Sequence, residues 1–302
     1  EPGSQLLFTN LHKVNDYRRI NQYFIQINSN LQLGGYFVGW GETNAERYNY
    51  FFGSFPKIIA FLLYSVDSLW RRVIPKLPVL KQFYFALTKG KNRALSKAEI
   101  LGRLFYCGFN IIELEEINNK LYYIAQKAAD PKTDVNPSYG PFIKMKRVGK
   151  DHEVLNIYKF RTMHPYSEYL QAFVHKENDL ESGGKLKDDF RITGWGKIFR
   201  KLWIDELPQF INLFRGELSL VGVRALSFHY FSLYPKDMQE LRTQFKPGLV
   251  PPYYVDLPNS FEEIIESERK YLLKRQQKPI ATQFEYFFKA WWNILVKRAR
   301  SK

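Results

Sequence analysis

The sequence predicts a mixed α/β fold in two parts, and three observations support this prediction. In residues 5–128, segments with helical spacing alternate with short apolar runs of the kind that form strands. A polar stretch with three prolines, 129–141, follows and is typical of a linker. Beyond it, dense blocks of charged residues and glycine surround predicted helices. We therefore expect an α/β domain at 1–130 and a mostly helical domain at 131–302.

The first part opens with a strand–helix–strand pattern. The apolar run at 6–9 is expected to form a buried strand, and the spacing of apolar residues over 16–33 predicts a helix. We expect the glycine pair at 34–35 to end this helix and the run at 36–38 to form the next strand.

A similar pattern returns later in the same part. Ser96, followed three residues later by Glu99, predicts the capping box of a helix, and Gly108 predicts where that helix ends. The apolar runs at 109–112 and 121–124 then predict two strands.

Two segments combine apolar, aromatic and cationic residues. The segment 51–93 predicts either an ordinary buried helix pair or a membrane-associating element whose flanking cations meet lipid phosphates. The tail, 284–302, predicts an amphipathic helix that either docks at a membrane interface or packs in a core. No apolar run in the sequence reaches the roughly 18–20 residues that a spanning helix needs.

Charge and aromatic content narrow the classes of partner. The formal net charge is +15 and aromatic residues make up 17% of the chain. A basic excess attracts nucleic acid, anionic lipid headgroups or phosphorylated ligands, and composition alone does not choose among them. The single cysteine, Cys107, excludes an intrachain disulfide, and the sequence has no Cys/His cluster with zinc spacing.

Two adjacent carboxylates in the second part carry the chemical signal. Asp205 and Glu206 stand just before Pro208, which fits the first turn of a predicted helix at 209–214. Carboxylates among cations suit chemistry on a phosphate, because a divalent metal can bridge carboxylate and pyrophosphate while cations spread the developing charge. One carboxylate can also attack phosphorus directly. The nearby cations are Arg200, Lys201, Arg215 and Arg224.

An ordered series of motifs places these carboxylates in a family context. The series consists of the blocks GPFIKMKRVGK, YKFRTM, DDFRITGWGKIFRKLWIDELPQFINLFRGELSLVG and KPG. It resembles the bacterial sugar transferase family, the monotopic phosphoglycosyl transferases that start cell-surface glycan assembly on undecaprenyl phosphate. The resemblance covers about residues 139–296. It implies that the second part is a mostly helical monotopic phosphoglycosyl transferase catalytic domain.

The resemblance implies a two-step reaction between a UDP-sugar and undecaprenyl phosphate. Asp205 would attack the β-phosphate, UMP would leave, and the lipid phosphate would then take the sugar phosphate from the enzyme. Glu206, together with Asp205, would hold Mg²⁺, and Arg200 would lie near the lipid phosphate. The remaining charged positions would surround the pyrophosphate: Lys159, Arg161, Asp189, Arg191 and Arg224.

The resemblance also implies a setting. The expected partners are a UDP-sugar, undecaprenyl phosphate and membrane lipid, without nucleic acid, and a homo-oligomer is allowed. The expected location is the cytoplasmic face of the bacterial inner membrane, held without a spanning helix, at the first membrane step of surface glycan synthesis.

The N-terminal part contains the runs LGGYFVG and CGFNII with a closing hairpin. Over about residues 5–128 it resembles the second half of a class I methyltransferase fold, a partial Rossmann-like arrangement. The sequence lacks the glycine-rich loop that would hold a methyl donor, so methyl transfer is not predicted. A domain that begins midway suggests that the chain is a piece of a longer protein.

Three departures from the sugar transferase pattern concern substrate contacts and the membrane. The chain reads LVGVRA where the family has LVGPRP, and KPGLVPPYY where a glutamine- and glycine-rich segment usually follows PGITG. The apolar re-entrant helix that usually precedes GPFIKMKRVGK is replaced by a mixed segment. We therefore expect the membrane element at 51–93.

Each assigned residue also has a structural interpretation. Asp205 and Glu206 could cap a helix, Arg200 and Arg224 could form ion pairs, and the other four could form a network that stabilises the fold. Two further functions stay open: a catalytically inactive lipid-binding scaffold in a glycan assembly complex, and a nucleic-acid-binding protein without a recognisable module.

Overall fold

The computed structural model describes residues 3–77, 79–118, 120–133, 140–177 and 189–296. The chain forms two compact units, one of residues 1–140 and 162–197 and the other of residues 141–161 and 198–302. The prediction of a mixed α/β fold is confirmed. The segment 162–197 groups with the first unit, whereas the sequence analysis assigned it to the C-terminal domain.

Helices and strands alternate in the first unit. Its strands and helices are, in chain order, β1 (Gln5–Thr9), α1 (Ile20–Asn30), β2 (Leu31–Gly41), α2 (Asn44–Ser54), α3 (Lys57–Ser68), α4 (Leu80–Thr88), α5 (Lys97–Tyr106), β3 (Phe109–Ile117), β4 (Lys120–Lys127) and α6 (Gln171–Glu177). The sheet has the strand order β1-β2-β4-β3, with β1 and β2 parallel and the other pairs antiparallel. The core contains Phe24 and Ile27 of α1, Leu101 and Leu104 of α5 and Phe37 of β2.

The first sheet corrects two details of the sequence prediction. β1 forms where expected, but it is the edge strand of the sheet and is not buried: Leu6 and Leu7 are 65% and 59% exposed. The glycine pair does not end α1, because the chain enters β2 already at Leu31. Gly34 adopts φ +82°, and a Cβ on Gly35 would come within 2.9 Å of the Gln5 carbonyl oxygen. The glycines therefore permit the register shift between β1 and β2.

Helix α5 confirms the predicted start and end. The Ser96 hydroxyl accepts a hydrogen bond of 3.0 Å from the Glu99 N–H, and Gly108 adopts φ +86° just beyond the helix. The Glu99 carboxylate instead pairs with Arg103 at 2.8 Å and with Lys76 at 3.4 Å. Cys107 is buried at the end of this helix, and burial raises the pKa of its thiol to about 12.

The segment 51–93 is helical, and most of its large apolar side chains are exposed. Ala60 is the buried residue of α3. A π-helical turn, Leu69–Val73, and a 3-10 turn, Ile74–Lys76, connect α3 towards α4. Among the described parts of the chain, no helix is both long and apolar enough to cross a bilayer. The exposed set includes Ile58, Phe61, Leu62, Val66, Leu69, Val79, Phe83 and Leu87.

The second unit is mostly helical and contains two small sheets. Its elements are β5 (Phe142–Val148), β6 (Val154–Phe160), α7 (Gly194–Lys201, which begins in the first unit), α8 (Gln209–Phe214), β7 (Ser219–Val221), α9 (Phe228–Ser232), α10 (Lys236–Thr243), β8 (Gly248–Val250), α11 (Tyr253–Asp256), α12 (Phe261–Gln277) and α13 (Pro279–Leu295). β5 and β6 form an antiparallel hairpin, and β7 and β8 pair in parallel. The core packs Val221, Val223, Met238, Tyr271 and Tyr286.

Helix α13 covers the described part of the predicted tail helix and carries apolar side chains on two opposite faces. One face is buried through Tyr286, Ala290 and Ile294. The basic residues predicted to follow it, Lys297, Arg298, Arg300 and Lys302, lie outside the described residues. The opposite face exposes an apolar stripe at nearly regular four-residue spacing, made of Ile280, Phe284, Phe288, Trp292 and Leu295.

Candidate active site

Asp205 and Glu206 lie on a short turn that the chain fixes on both sides. The turn is a 3-10 helix, Ile204–Glu206, preceded by Trp203 with φ +57°. Pro208 follows with φ −62° and leads directly into α8, as the sequence predicts. The two carboxylates thus stand on consecutive residues, and both side chains are partly exposed.

Lys159 of β6 binds the dyad. Its Nζ lies 2.6 Å from Glu206 Oε1, and both side chains are partly shielded from solvent. This places a cation directly beside the two carboxylates. The sequence motifs indicate both residues but not their pairing.

The buried Asn212 of α8 holds the helix against strand β6. Its Nδ2 donates to the Asn156 carbonyl oxygen at 2.7 Å, and its Oδ1 accepts from the Tyr158 N–H at 3.1 Å. These bonds occupy backbone groups of the strand that carries Lys159, so they position Lys159 relative to the turn. Sequence reasoning missed Asn212; the available signal was a polar residue within the apolar run QFINLF.

The electrostatics of Asp205 reflect opposing influences. Burial raises the pKa of its carboxyl, the charge of Lys159 lowers it, Glu206 raises it and Arg200 lowers it, and the net pKa lies above the ordinary value. A nucleophilic carboxylate must be ionised, so the cations Lys159 and Arg200 favour the reactive form.

Two further predicted cations belong to the same unit. Arg224 follows β7 with an exposed side chain, and its carbonyl oxygen accepts a 2.6 Å bond from Arg242 Nη2. Arg161 is buried at the end of β6, where its N–H donates to the Pro141 carbonyl oxygen at 2.7 Å.

Asp189 and Arg191 belong to the first unit and pair with each other. Arg191 Nη2 lies 2.7 Å from Asp189 Oδ2, Nε lies 2.8 Å from Oδ1, and both side chains are buried. Arg191 Nη1 also donates to Gln171 Oε1 at 2.7 Å. Such a bidentate pair fits the alternative in which these residues form a network that stabilises the fold. Their role at the pyrophosphate stays a prediction.

The dyad suits a magnesium ion held jointly with a phosphorylated substrate. Within the described ranges, no group of three or more His, Cys, Asp or Glu side chains is placed to hold a metal ion. Mg²⁺ is usually bound through one or two carboxylates, with substrate phosphates and waters completing its octahedron. Asp205 and Glu206 supply such a pair, so the donor set fits this ion.

An apolar surface flanks the charged turn. Leu202 and Phe214 are 59% and 87% exposed, although they lie on or beside helices of six to eight residues. Exposed apolar patches rimmed by polar groups mark binding surfaces. Sequence reasoning assigned no role to this surface, which also includes Ile198, Leu207, Phe210 and Ile211.

The departures from the family pattern fall partly in the core. Val223, in place of the first missing proline, is buried, and its carbonyl oxygen accepts from the Gly248 N–H at 3.0 Å. Tyr253 and Tyr254 form the first residues of α11, and the ring of Tyr254 contacts that of Trp203 at 5.9 Å. The altered segment therefore packs beneath the turn that carries the dyad.

The second part of the chain is similar to known proteins. The profile of a family described as bacterial sugar transferase matches residues 134–297, more than half of the chain. Over 138 residues the chain is 36% identical to galactosyl transferase CpsE of Streptococcus agalactiae, covering 44% of this chain and 30% of that protein.

Two relatives have names that describe a lipid acceptor. One is UDP-N-acetylgalactosamine-undecaprenyl-phosphate N-acetylgalactosaminephosphotransferase of Aeromonas hydrophila, 42% identical over 88 residues, covering 29% of this chain and 18% of that protein. The other is UDP-glucose:undecaprenyl-phosphate glucose-1-phosphate transferase of Klebsiella pneumoniae, 35% identical over 115 residues, covering 37% and 23%.

The matched part of this chain spans less than a third of each of these three relatives. The profile match nevertheless includes all four sugar transferase blocks, from GPFIKMKRVGK to KPG. The chain therefore belongs to the bacterial sugar transferase family.

Proposed function

We propose that the protein transfers a sugar-1-phosphate from a UDP-sugar to undecaprenyl phosphate and releases UMP. The observation that carries this proposal is the partly buried Asp205 beside Glu206, with Lys159 bound to Glu206 at 2.6 Å. The names of the relatives from Aeromonas and Klebsiella support the same donor and acceptor classes.

In the first step, a carboxylate oxygen of Asp205 attacks the β-phosphorus of the UDP-sugar. The bond from the β-phosphorus to the bridging oxygen breaks, and that oxygen leaves with UMP. The product is an acyl phosphate that joins Asp205 to the sugar phosphate. Cations within reach of the transferred group stabilise the developing charge, and Lys159 and Arg200 supply two of them.

In the second step, a phosphate oxygen of the lipid attacks the same phosphorus. The bond between phosphorus and Asp205 breaks, so the carboxylate is restored and a lipid-linked diphosphate sugar leaves. Splitting one displacement into two is the general advantage of covalent catalysis. The exposed apolar surface beside the turn, including Leu202 and Phe214, suits the isoprenoid chain of such an acceptor.

Each charged residue has a defined part in this scheme. Glu206 and Asp205 would hold Mg²⁺, which when bound neutralises phosphate charge. Lys159 holds Glu206 in place, since its Nζ contacts Oε1 at 2.6 Å. Arg200 would approach the lipid phosphate, and Arg224 would approach the pyrophosphate.

The proposed location is the cytoplasmic face of the bacterial inner membrane. The exposed apolar side chains of α3 and α4 stand among the cations Lys57, Lys81 and Lys89, a combination suited to an anionic lipid surface. Membrane lipid is therefore a proposed partner, and the segment 51–93 is the proposed attachment.

The test is release of UMP in the absence of lipid. Wild-type protein incubated with a panel of UDP-sugars and Mg²⁺ should release UMP and gain the mass of a phosphosugar. Asp205→Asn should lower UMP release by at least about 10³-fold, because it removes the nucleophile. Asp151→Asn, an exposed carboxylate of the same unit, is the matched control and should keep full activity.

Absence of both UMP and adduct with every UDP-sugar tested would contradict the proposal and favour the inactive scaffold. The burial of Val223 argues against that alternative, because it places this departure from the family pattern in the core.

A further inference from the structure

Arg147 of β5 is a partly buried cation without a carboxylate partner in the described parts of the chain. Its Nη1 donates to the Lys146 carbonyl oxygen at 3.0 Å, and its Nη2 lies 3.6 Å from the Met145 sulfur. Neither contact neutralises its charge, and a thioether is a weak acceptor. A partly buried guanidinium with this contact set is suited to bind an anion.

The backbone brings Arg147 next to Arg224. The N–H of Val148 donates to the Leu226 carbonyl oxygen at 3.0 Å, so the end of β5 runs beside residues 224–226. Burial lowers the pKa of Arg147, and the positive charge of Arg224 lowers it further. Two guanidinium groups that repel each other in this way gain most from an anion shared between them.

Arg147 also shares a face of the hairpin with the lysine of the active site. The register pairs Arg147 with Leu155 and Ile143 with Lys159. Because directly paired residues and every second residue point to one face, Arg147 and Lys159 lie on the same face. On β5, Arg147 is four residues from Ile143, the residue paired with Lys159, which corresponds to roughly 13 Å along the strand.

Tyr253 links the two ends of this face. Burial raises the pKa of its hydroxyl, while the charge of Arg224 lowers it and that of Glu206 raises it. The charges of both Arg224 and Glu206 therefore act on its hydroxyl. Arg224 thus belongs to the surroundings of the proposed active site, and Arg147 adjoins it where the end of β5 runs beside residues 224–226.

We propose that Arg147 and Arg224 form a phosphate-binding subsite of the Asp205–Glu206 site. The inference rests on the proposed function and adds Arg147 to it. The ligand is a substrate phosphate other than the one attacked. Both the α-phosphate of the nucleotide donor and the phosphate of the lipid acceptor have this chemistry. A planar guanidinium fork recognises such a group through two parallel hydrogen bonds.

The first experiment measures binding of UDP with Mg²⁺ to the full chain in detergent. If the ligand is the donor phosphate, Arg147→Ala should weaken UDP binding about tenfold or more, as expected for loss of a charge-assisted hydrogen bond. Arg147→Lys, which keeps the charge and loses the fork, should show an intermediate loss. Lys146→Ala removes the adjacent cation from the other face of the strand and should change binding less than about twofold.

The second experiment separates the two sources of phosphate. A higher KM for the UDP-sugar in lipid-free UMP release assigns the subsite to the donor. An unchanged first half-reaction with a higher KM for undecaprenyl phosphate assigns it to the acceptor. The inference is overturned if a folded Arg147→Ala variant changes neither KM nor UDP binding, or if Lys146→Ala produces equal losses.

Failure of the proposed function gives a different result. The wild-type protein would then bind UDP and Arg147→Ala would still weaken that binding, but the wild-type protein would release no UMP. If Arg147→Ala does not fold, the comparison of Arg147→Lys with Lys146→Ala decides the same question.

Discussion

At the scale of single residues, the charge of Lys159 counteracts the effect of burial on Asp205. Burial raises the pKa of Asp205, and Lys159 is the strongest influence that lowers it. A carboxylate nucleophile with a raised pKa loses activity as the pH falls through that pKa, because only its ionised form attacks phosphorus. The acid limb of the wild-type rate profile should therefore lie above the ordinary range of an aspartate.

Lys159→Met should displace this limb further towards high pH. We also expect UMP release at neutral pH to fall at least about tenfold, since a charge-assisted contact is lost. Lys144→Met is the matched control, because Lys144 lies on β5 over the ring of Tyr158 and leaves Glu206 untouched. A Lys159→Met profile that overlays the wild-type profile would show that Lys159 has no electrostatic effect on the nucleophile.

Glu99 is a buried carboxylate of the first unit with two cationic partners, Arg103 and Lys76. Burial raises the pKa of its carboxyl, but Lys76 and Arg103 outweigh burial and bring the pKa down to about 2. A depressed carboxyl pKa stabilises the fold above the unfolded value of 4.5, and this contribution disappears as the pH falls from 4.5 towards 2.

Glu99→Gln should cost about 3–5 kcal/mol of unfolding free energy at neutral pH, because it leaves Arg103 and Lys76 without their carboxylate. Urea unfolding measures this difference, which should shrink on acidification over the same pH window. Glu116→Gln breaks an exposed pair with Lys97 and should cost about 0–1 kcal/mol. Equal losses of unfolding free energy in Glu99→Gln and Glu116→Gln would show that the ion pairs of Glu99 stabilise the fold no more than an exposed pair does.

Sequence patterns located these residues but not their partners. The spacing of Ser96 and Glu99 predicted a helix start, which is a local property of the backbone. The partner Lys76 lies 23 residues earlier, so its ion pair with Glu99 depends on tertiary packing. For the same reason the motifs named Lys159 and Glu206 without showing that they touch.

At the scale of elements, the glycines of the LVG and KPG motifs explain why these blocks accompany the site. Gly222 and Gly248 lie where β7 and β8 meet. A Cβ on Gly248 would come within 1.9 Å of the Gly222 nitrogen, and one on Gly222 within 2.7 Å of the Gly248 nitrogen. Only two glycines allow the backbones to approach this closely.

Gly248→Ala should therefore destabilise the second unit by on the order of 2–3 kcal/mol, as expected for overpacking against backbone. Thermal unfolding provides the measurement. Gly53→Ala is the control, because a Cβ at this position of α2 meets nothing within 4 Å and alanine favours a helix by up to about 1 kcal/mol. A Gly248→Ala variant as stable as wild type would show that the strands can separate at no cost.

Element positions were more predictable than element exposure. Ser96 and Gly108 predicted α5, and the apolar runs at 109–112 and 121–124 predicted β3 and β4, because these signals act locally along the chain. The exposure of Leu6 on β1 and of Phe61 on α3 was not determined by the pattern, since an apolar side chain is buried only if another element covers it. The prediction that the glycine pair at 34–35 ends α1 was wrong, because glycine occurs at β-bulges as well as at helix ends.

At the scale of the whole molecule, composition and packing divide the chain at different places. The proline-rich stretch at 129–141 suggested a boundary near residue 131, because prolines and polar residues are typical of a linker. In the structure, Tyr166, Leu170 and Val174 belong to the core of the first unit. The carbonyl of Tyr166 also lies where a Cβ on Gly102 of α5 would stand, at 2.3 Å. Close packing thus assigns 162–197 to the N-terminal unit, which no composition change reveals.

The net charge of +15 and the exposed apolar helices predict two components of membrane binding. The charge component should fade between about 0.1 and 1 M salt, as the screening length falls from about 10 to 3 Å. The apolar component should persist, so the full chain should still sediment with anionic vesicles at 1 M salt.

Replacing Phe61, Leu62 and Leu63 by serine should abolish this salt-resistant fraction. The matched control replaces Leu11, Leu33 and Ile112, which are exposed apolar residues of the same unit outside the segment 51–93. Vesicle sedimentation compares the two triple variants. If the first variant still sedimented at high salt, the attachment would have to lie elsewhere, with the apolar stripe of α13 as the next candidate.

The buried Cys107 has a practical consequence. Since it is the one cysteine of the sequence and its thiol is held with a pKa of about 12, the native chain offers almost no thiolate to an alkylating reagent. A cysteine placed at Phe61 or at Phe284 would therefore be the sole reactive thiol, without prior removal of the native one. A nitroxide or an environment-sensitive dye attached there would report its own depth in a bilayer, position by position.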